Sequence, residues 1–242
     1  MALGSMKRKI IDRLLKKEGL MIAPRNGPNL AGAFQRLQSR QIPLETVIDI
    51  GASNGCWTEA VLPFFPKAHY LCVEAQSAHE PALRQFVAKH ASVEYLISAA
   101  GAEEGRIYFD ASDLFGGLAS YKPLPQNCIV VPVTTIDLLV EKKRLRAPYL
   151  IKLDTHGFEL PILSGAAKTL EQTEALIIEV YNFTTGPPML LFHEMCQHLA
   201  GKGFRCFDFF DPLYRPRDNV LWQMDMIFVR ASRPEFQYLA YR

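Results

Sequence analysis

No stretch of the 242 residues approaches the ~20 consecutive apolar positions that cross a bilayer, so no membrane span is expected. Neither sign of charge dominates. Lys plus Arg number 27 against 25 Asp plus Glu, a formal +2 with no basic stripe in the middle of the chain. That argues against a nucleic-acid partner. The cysteines are few, odd in number and widely spaced (Cys56, Cys72, Cys128, Cys196 and Cys206), and none forms a CxxC pair. Reduced thiols in a cytoplasmic protein are expected, with no zinc site. Low-complexity tracts and internal repeats are missing as well. What is present is a globular balance of 49% hydrophobic and 21% charged residues, enough apolar side chain to exclude disorder over most of the length. The size suits one α/β domain.

The first residues, Met1 to Met6, read in part as a cloning remnant, and no secretory signal is expected, because Asp12, Arg13, Lys16 and Lys17 interrupt the apolar residues after Met6. Ile10, Ile11, Leu14 and Leu15 share one face of a helix predicted over 6–18. It reads as a docked surface helix, a substrate lid or a dimer contact. A second helix is expected from about Pro28 to Arg40. The expected organisation is therefore an N-terminal helical extension over 1–40, one domain over 41–232 and a tail over 233–242.

Beyond residue 40, apolar runs and helical patterns alternate. Strands are expected at Thr46–Ile50, His69–Val73, Val93–Ala99, Tyr149–Leu153 and Ala175–Val180. Helices are expected at Trp57–Leu62, Glu80–Lys89, Leu160–Leu170 and Met189–Lys202. This order implies a parallel sheet with helices on both faces. Two segments break it. Arg106–Asp110 and Ile129–Val133 read as extra strands around a loop over Ser112–Asn127. Phe204–Phe210 and Gln223–Val229 read as a closing β-hairpin joined by Asp211–Asn219.

Three motifs carry chemistry. Asp49-Ile-Gly51-Ala52-Ser53-Asn54-Gly55 puts an acid at a strand end, then a turn of small residues leading into a helix, where open α/β sheets bind ligands. Gly51 and Gly55 are four apart, which is not the GxGxxG spacing of dinucleotide folds. Glu74 ends the second strand, where a carboxylate can accept from both hydroxyls of a ribose. Both NAD and S-adenosylmethionine satisfy that pair. The third motif is Tyr149-Leu-Ile-Lys152-Leu-Asp154-Thr-His156-Gly157-Phe-Glu159. Lys152 within a strand is costly to bury alone, so it reads as an ion pair with Glu179 or Asp49. Asp154 is either a reacting group or the brace of its turn, and His156 either a reacting group or a bystander. His193 and His198 lack the i,i+4 spacing of a metal pair and read as surface residues.

Taken with Thr135-Ile136-Asp137 and Leu163-Ser164-Gly165-Ala166, these motifs resemble the FkbM-type S-adenosylmethionine-dependent methyltransferases over roughly residues 40–230. The family pattern often has Glu where this chain has His156. The resemblance implies one Rossmann-like class I methyltransferase domain: a mostly parallel seven-stranded sheet with an antiparallel last strand, helices on both faces and a small β insertion before strand 4. It implies methyl transfer to a hydroxyl, commonly on a sugar, glycan or secondary metabolite, with S-adenosylhomocysteine as product. On that reading Asp49, Gly51, Ala52, Asn54 and Gly55 serve the amino-acid end of the cofactor, Glu74 the ribose, and Ser98 and Ala99 the adenine, with Asp154 close by. Asp154 and His156 are the candidate bases, and Glu179 faces the same edge. A divalent metal shared by Asp154 and Glu179 is open but not favoured. Tyr181, Tyr214 and Arg215, on loops over this edge, are the candidate acceptor contacts. The expected partner is a small-molecule or glycan acceptor, with homo-oligomerisation open. Competing classes are an NAD-dependent oxidoreductase, which lacks its Tyr-x-x-x-Lys pair here, and a non-catalytic cofactor-binding protein.

Overall fold

The computed structural model describes residues 27–125, 127–184 and 189–241, so the helix expected over 6–18 lies outside the described residues. Seven strands build the main sheet: β1 (Thr46–Ile50), β2 (His69–Glu74), β3 (Val93–Ile97), β8 (Tyr149–Leu153), β9 (Thr173–Tyr181), β10 (Phe204–Tyr214) and β11 (Leu221–Arg230). Their order is β3-β2-β1-β8-β9-β11-β10. The strands from β3 to β9 pair in parallel, and β11 runs opposite to the other six, pairing antiparallel with both β9 and β10. The strand order reverses between β1 and β8, the switch point where ligands bind in such sheets. Among the described residues, no helix is long and apolar enough to cross a membrane.

Strand alternation separates two cores. Ile48, Leu71, Ile151 and Ile178 join one cluster, under α4 (Ile136–Lys143), α5 (Glu159–Ser164) and α7 (Phe192–Ala200). Val47, Tyr70, Leu150 and Ile177 join the other, under α1 (Leu30–Gln38), α2 (Cys56–Val61) and α3 (Glu80–Val87). The period of two puts successive residues on opposite faces, and both faces are covered, as the near-continuous apolar strands required. The expected boundary at residue 40 does not follow this packing. Phe34 of α1 is fully buried among the rings of Trp57, Phe64, Phe65 and Phe210, so α1 belongs to the domain.

Several bounds differ from expectation for identifiable reasons. The third strand stops at Ile97. Beyond Ser98, whose hydroxyl bonds the Pro132 carbonyl, the chain joins a second sheet as β4 (Ala99–Ala100). That sheet continues with β5 (Gly105–Asp110), β6 (Leu118–Ser120) and β7 (Cys128–Thr134) in the order β4-β7-β5-β6. Part of the expected 112–127 loop is therefore strand. The single helix expected over Leu160–Leu170 is two, α5 and α6 (Ala167–Glu171), divided at Gly165. A Cβ at Gly165 would lie 2.0 Å from the Gly101 carbonyl oxygen, so the chain can pass there only without a side chain. Asp137 braces the second piece by accepting from the Lys168 and Thr169 amides. The terminal hairpin strands also run further than their apolar cores.

The same alternation lines up polar residues at the C-terminal ends of the strands. Asp49 pairs in register with both Cys72 and Lys152, and Glu179 with Asp225. Lys152 is 2% exposed. Its Nζ lies 3.2 Å from Asp49 Oδ1 and 3.2 Å from Asp154 Oδ2. It donates to the Gly51 carbonyl at 3.2 Å and sits 5.4 Å from the Trp57 ring centroid. Burial disfavours the ammonium, but the charges of Asp49, Asp154 and Asp225 outweigh burial and raise its pKa. Replacing it, Lys152→Met, strands at least two carboxylates without their cation. Equilibrium urea unfolding should show a loss of about 3–5 kcal/mol, and an unchanged midpoint would refute the structural weight given to this pair.

Candidate functional site

A cavity of about 370 Å³ opens over the ends of β1, β2, β8 and β9 and is closed on one side by the insertion. This is within the rough 300–1,000 Å³ range of small-molecule sites. On its first bank, Gly51, Ala52 and Ser53 turn from β1 toward α2. Gly51 has φ +78°, and a Cβ there would lie 2.0 Å from the Asp154 carbonyl oxygen. Glu74 is buried on the wall. Its Oε2 accepts from the Ser53 amide at 2.7 Å and its Oε1 from the Gln76 amide at 2.8 Å. Each oxygen keeps an acceptor site beyond these bonds. Ser98 and Ala99 continue the wall. Ser53 Oγ and Trp57 Nε1 are buried on this bank without a hydrogen-bond partner among the described residues.

The second bank carries Asp154, His156, Glu179 and Gln223. His156 has φ +52° and is followed by Gly157 at φ +108°, a sharp turn after β8. Glu159 holds that turn, accepting from the Gly157 amide and the Thr155 hydroxyl, both at 3.0 Å. The turn aims the His156 ring at three partners. Its Nδ1 lies 3.2 Å from Glu179 Oε2 and 2.8 Å from the Tyr181 hydroxyl, while Nε2 donates to the Phe115 carbonyl at 3.1 Å. Glu179 also accepts from the Tyr181 hydroxyl and from Gln223 Nε2. Asp154, His156 and Glu179 each offer a ligand atom within 4.8 Å of the others, an arrangement able to hold a cation once His156 gives up its proton.

The electrostatics separate the two candidate bases. Burial disfavours a charged ring at His156, but the hydrogen bond and charge of Glu179, then the charge of Asp154, outweigh it and push its pKa up to about 9. With both nitrogens donating, the ring is an imidazolium near neutral pH and not a free base. Asp154 titrates below its usual range: burial raises it, but Lys152 and His156 overcome burial. Asp225 titrates up to about 7, because partial burial and the charges of Glu179 and Asp154 disfavour its carboxylate.

Of the residues picked from sequence, Gly51, Ala52, Glu74, Ser98, Ala99, Asp154, His156 and Glu179 line one cavity. Asp49 does not line it. It lies behind the wall, bonded to the Thr58 hydroxyl at 2.7 Å and paired with Lys152, because its strand position faces α2. Asn54 is exposed and caps the Cys56 amide, and Gly55 abuts the Phe86 ring, so neither lines the cavity. Tyr181, expected on an acceptor loop, is the last residue of β9 and is buried against Glu179 and His156. Tyr214 and Arg215 also lie off the wall. Arg215 is held by Asp218 and stacks 4.3 Å over Phe183. Sequence reasoning missed Trp57, Gln76, His79 and Gln223 on the wall. Gln223 and Asp225 become visible only once the β9–β11 register sets them opposite Tyr181 and Glu179.

The pH dependence follows from His156. Its folded pKa is raised above the unfolded value near 6.5, so its contribution is complete below pH 6.5 and disappears as pH rises through about 9. Partial exposure keeps the contribution to at most about 3 kcal/mol. The melting temperature of the wild type should fall relative to His156→Gln between pH 6.5 and 9, and parallel curves would contradict the imidazolium assignment.

The family model described as methyltransferase FkbM domain matches residues 49–206. No curated protein matches the chain. Similar solved structures include the fibrillarin pre-rRNA processing protein of Methanococcus jannaschii, at TM-score 0.49 and 12% identity, over 78% of this chain and 68% of that one. An rRNA methylase of Streptococcus thermophilus gives TM-score 0.47 and 12% identity over 86% and 99% of the two chains. Sp1610 of Streptococcus pneumoniae, a putative tRNA (m1A22) methyltransferase solved with S-adenosyl-L-methionine, gives TM-score 0.47 and 10% identity over 86% and 75%. These likenesses concern the fold alone. The matched family model spans more than half of the chain, from the acid of the first strand to the start of the hairpin, and the chain belongs to the methyltransferase FkbM family.

Proposed function

We propose that the cavity binds S-adenosylmethionine and that the protein transfers a methyl group to a hydroxyl of a sugar, glycan or secondary metabolite. The observation that carries the cofactor reading is the first bank. A buried carboxylate, Glu74, is fixed by two backbone amides with acceptor capacity left for a ribose diol, beside the unpartnered Ser53 Oγ and Trp57 Nε1. Unpaired buried polar atoms are costly, so partners supplied by a ligand would stabilise both. Ser98 and Ala99 offer a wall for the adenine, and Gly51, without a Cβ, lets the turn after the first strand lie against the Asp154 backbone. When bound, the cofactor supplies an activated methyl on a sulfonium.

On the second bank, Asp154 is the proposed base. Its carboxylate is on the wall, one-third exposed and ionised well below neutral pH, so it can accept the acceptor's hydroxyl proton at the pH of the cell. Lys152 and His156 hold it in place and offset the charge of the neighbouring Glu179. His156 and Gln223 orient Glu179, whose oxygens face the same space. The net charge of only +2 and the mixed-sign bank favour a small or glycan acceptor over a polyanion. Tyr214, exposed at the end of its strand, and the half-buried Arg215 beside it are within this proposal contacts for the outer part of a larger acceptor.

S-adenosylhomocysteine at about one hundred times its Kd should raise the melting temperature by roughly 5–10 °C through mass action, and NAD should not. Stabilisation by NAD and not by S-adenosylhomocysteine would overturn the cofactor assignment. Glu74→Gln should weaken S-adenosylhomocysteine at least about tenfold by calorimetry, one lost charge-assisted hydrogen bond. Asp154→Asn should keep cofactor affinity within about threefold while lowering turnover of a hydroxylated acceptor roughly 10²–10⁴-fold. Full turnover in that variant removes Asp154 from the proton transfer.

A further inference from the structure

Residues 113–117 lie in the connection from β5 to β6 and close one side of the cavity, with Leu114, Phe115 and Gly117 on its wall. The segment belongs to neither sheet. Among the described residues, no backbone–backbone hydrogen bond ties it to the main sheet. Leu114 and Phe115 are 44% and 62% exposed, so apolar burial holds it weakly.

What holds it is a set of side chains from both banks, donating to three consecutive carbonyls. Gln76 Nε2 reaches the Asp113 and Leu114 oxygens at 3.0 and 3.2 Å, and His79 Nε2 reaches Leu114 at 2.7 Å. Both donors follow β2, on the Glu74 side. From the Asp154 side, His156 Nε2 reaches the Phe115 oxygen at 3.1 Å. The Phe115 ring also rests against His79, with centroids 5.4 Å apart.

We infer that residues 113–117 are a roof that opens to admit ligands, and that His156 is the positioning residue that latches it to the Asp154–Glu179 bank. One imidazole performs both tasks. Its Nδ1 is held by Glu179 and Tyr181 while its Nε2 holds the Phe115 carbonyl, so closing the roof also sets the ring against the carboxylates. Few contacts keep the segment shut, the property expected of low-stability elements that move around a ligand. The inference rests on the proposed function only for what enters. Latching is a property of the ligand-free chain.

Chymotrypsin cleavage at Leu114 and Phe115 in the ligand-free full chain, followed by mass spectrometry of the fragments, measures the open population when cleavage is slow relative to closing. His156→Ala and, from the opposite bank, Gln76→Ala should each speed this cleavage about fivefold, the effect of one or two lost hydrogen bonds. Cleavage elsewhere should stay unchanged in Gln76→Ala, and should match between His156→Ala and His156→Gln, which both lose the ring's charge. His156→Gln, which keeps a donor, should restore most of the protection, whereas a merely destabilising loss would raise cleavage throughout the chain. If His156→Ala fails to fold, Gln76→Ala decides the question. Rates within twofold of wild type in the folded variants overturn the inference. Failure of S-adenosylhomocysteine to bind would count against the cofactor assignment and leave this cleavage result standing by itself.

Discussion

A single buried ammonium organises this protein. Lys152 sits on the fourth strand of the sheet, in the interior, where an unpaired cation would be excluded. It is tolerated because strand register delivers Asp49 from one side and the chain itself delivers Asp154 two residues later. The same charge then keeps Asp154 ionised on the cavity wall. It also supports the turn of the first strand through the Gly51 carbonyl. Core, turn and proposed base are thus joined at one atom, and the carboxylates that crowd the sheet edge depend on that atom for their compensation.

Much of the fold was legible because the physics behind it is local. Near-continuous apolar strands such as Val47–Ile50, broken only by Asp49, and Leu71–Val73 can only be covered on both faces, and alternation with helices forces parallel pairing. The antiparallel last strand was legible as a hairpin. Less visible was what depends on a distant neighbour. The break between α5 and α6 falls at Gly165, where the Gly101 carbonyl, more than sixty positions away in sequence, leaves no room for a side chain. The departure of β4 into a second sheet comes from its pairing with β7. Neither contact leaves a periodic trace.

The site was legible to a similar degree and for a similar reason. Acids at strand ends can be read from sequence, and Glu74 and Asp154 do reach the cavity. Which way a strand-end acid faces is set by alternation, and that put Asp49 behind the wall, where it serves Lys152. The protonation of His156 was hidden, since it arises from Glu179 and Asp154 meeting in space. Gln223 and Asp225 required knowledge of the β9–β11 register, which sets them opposite Tyr181 and Glu179 across strands more than forty positions apart.

The near-contact between Gly51 and the backbone of Asp154 has a consequence for how such a molecule can change. The two strand tips share one atomic layer, with no side chain between them to absorb a displacement. Grip on one ligand and reactivity toward another are therefore mechanically coupled. A substitution that tilts either tip moves both, so new specificity is more accessible through the insertion and the hairpin, which touch the hollow without bearing its weight.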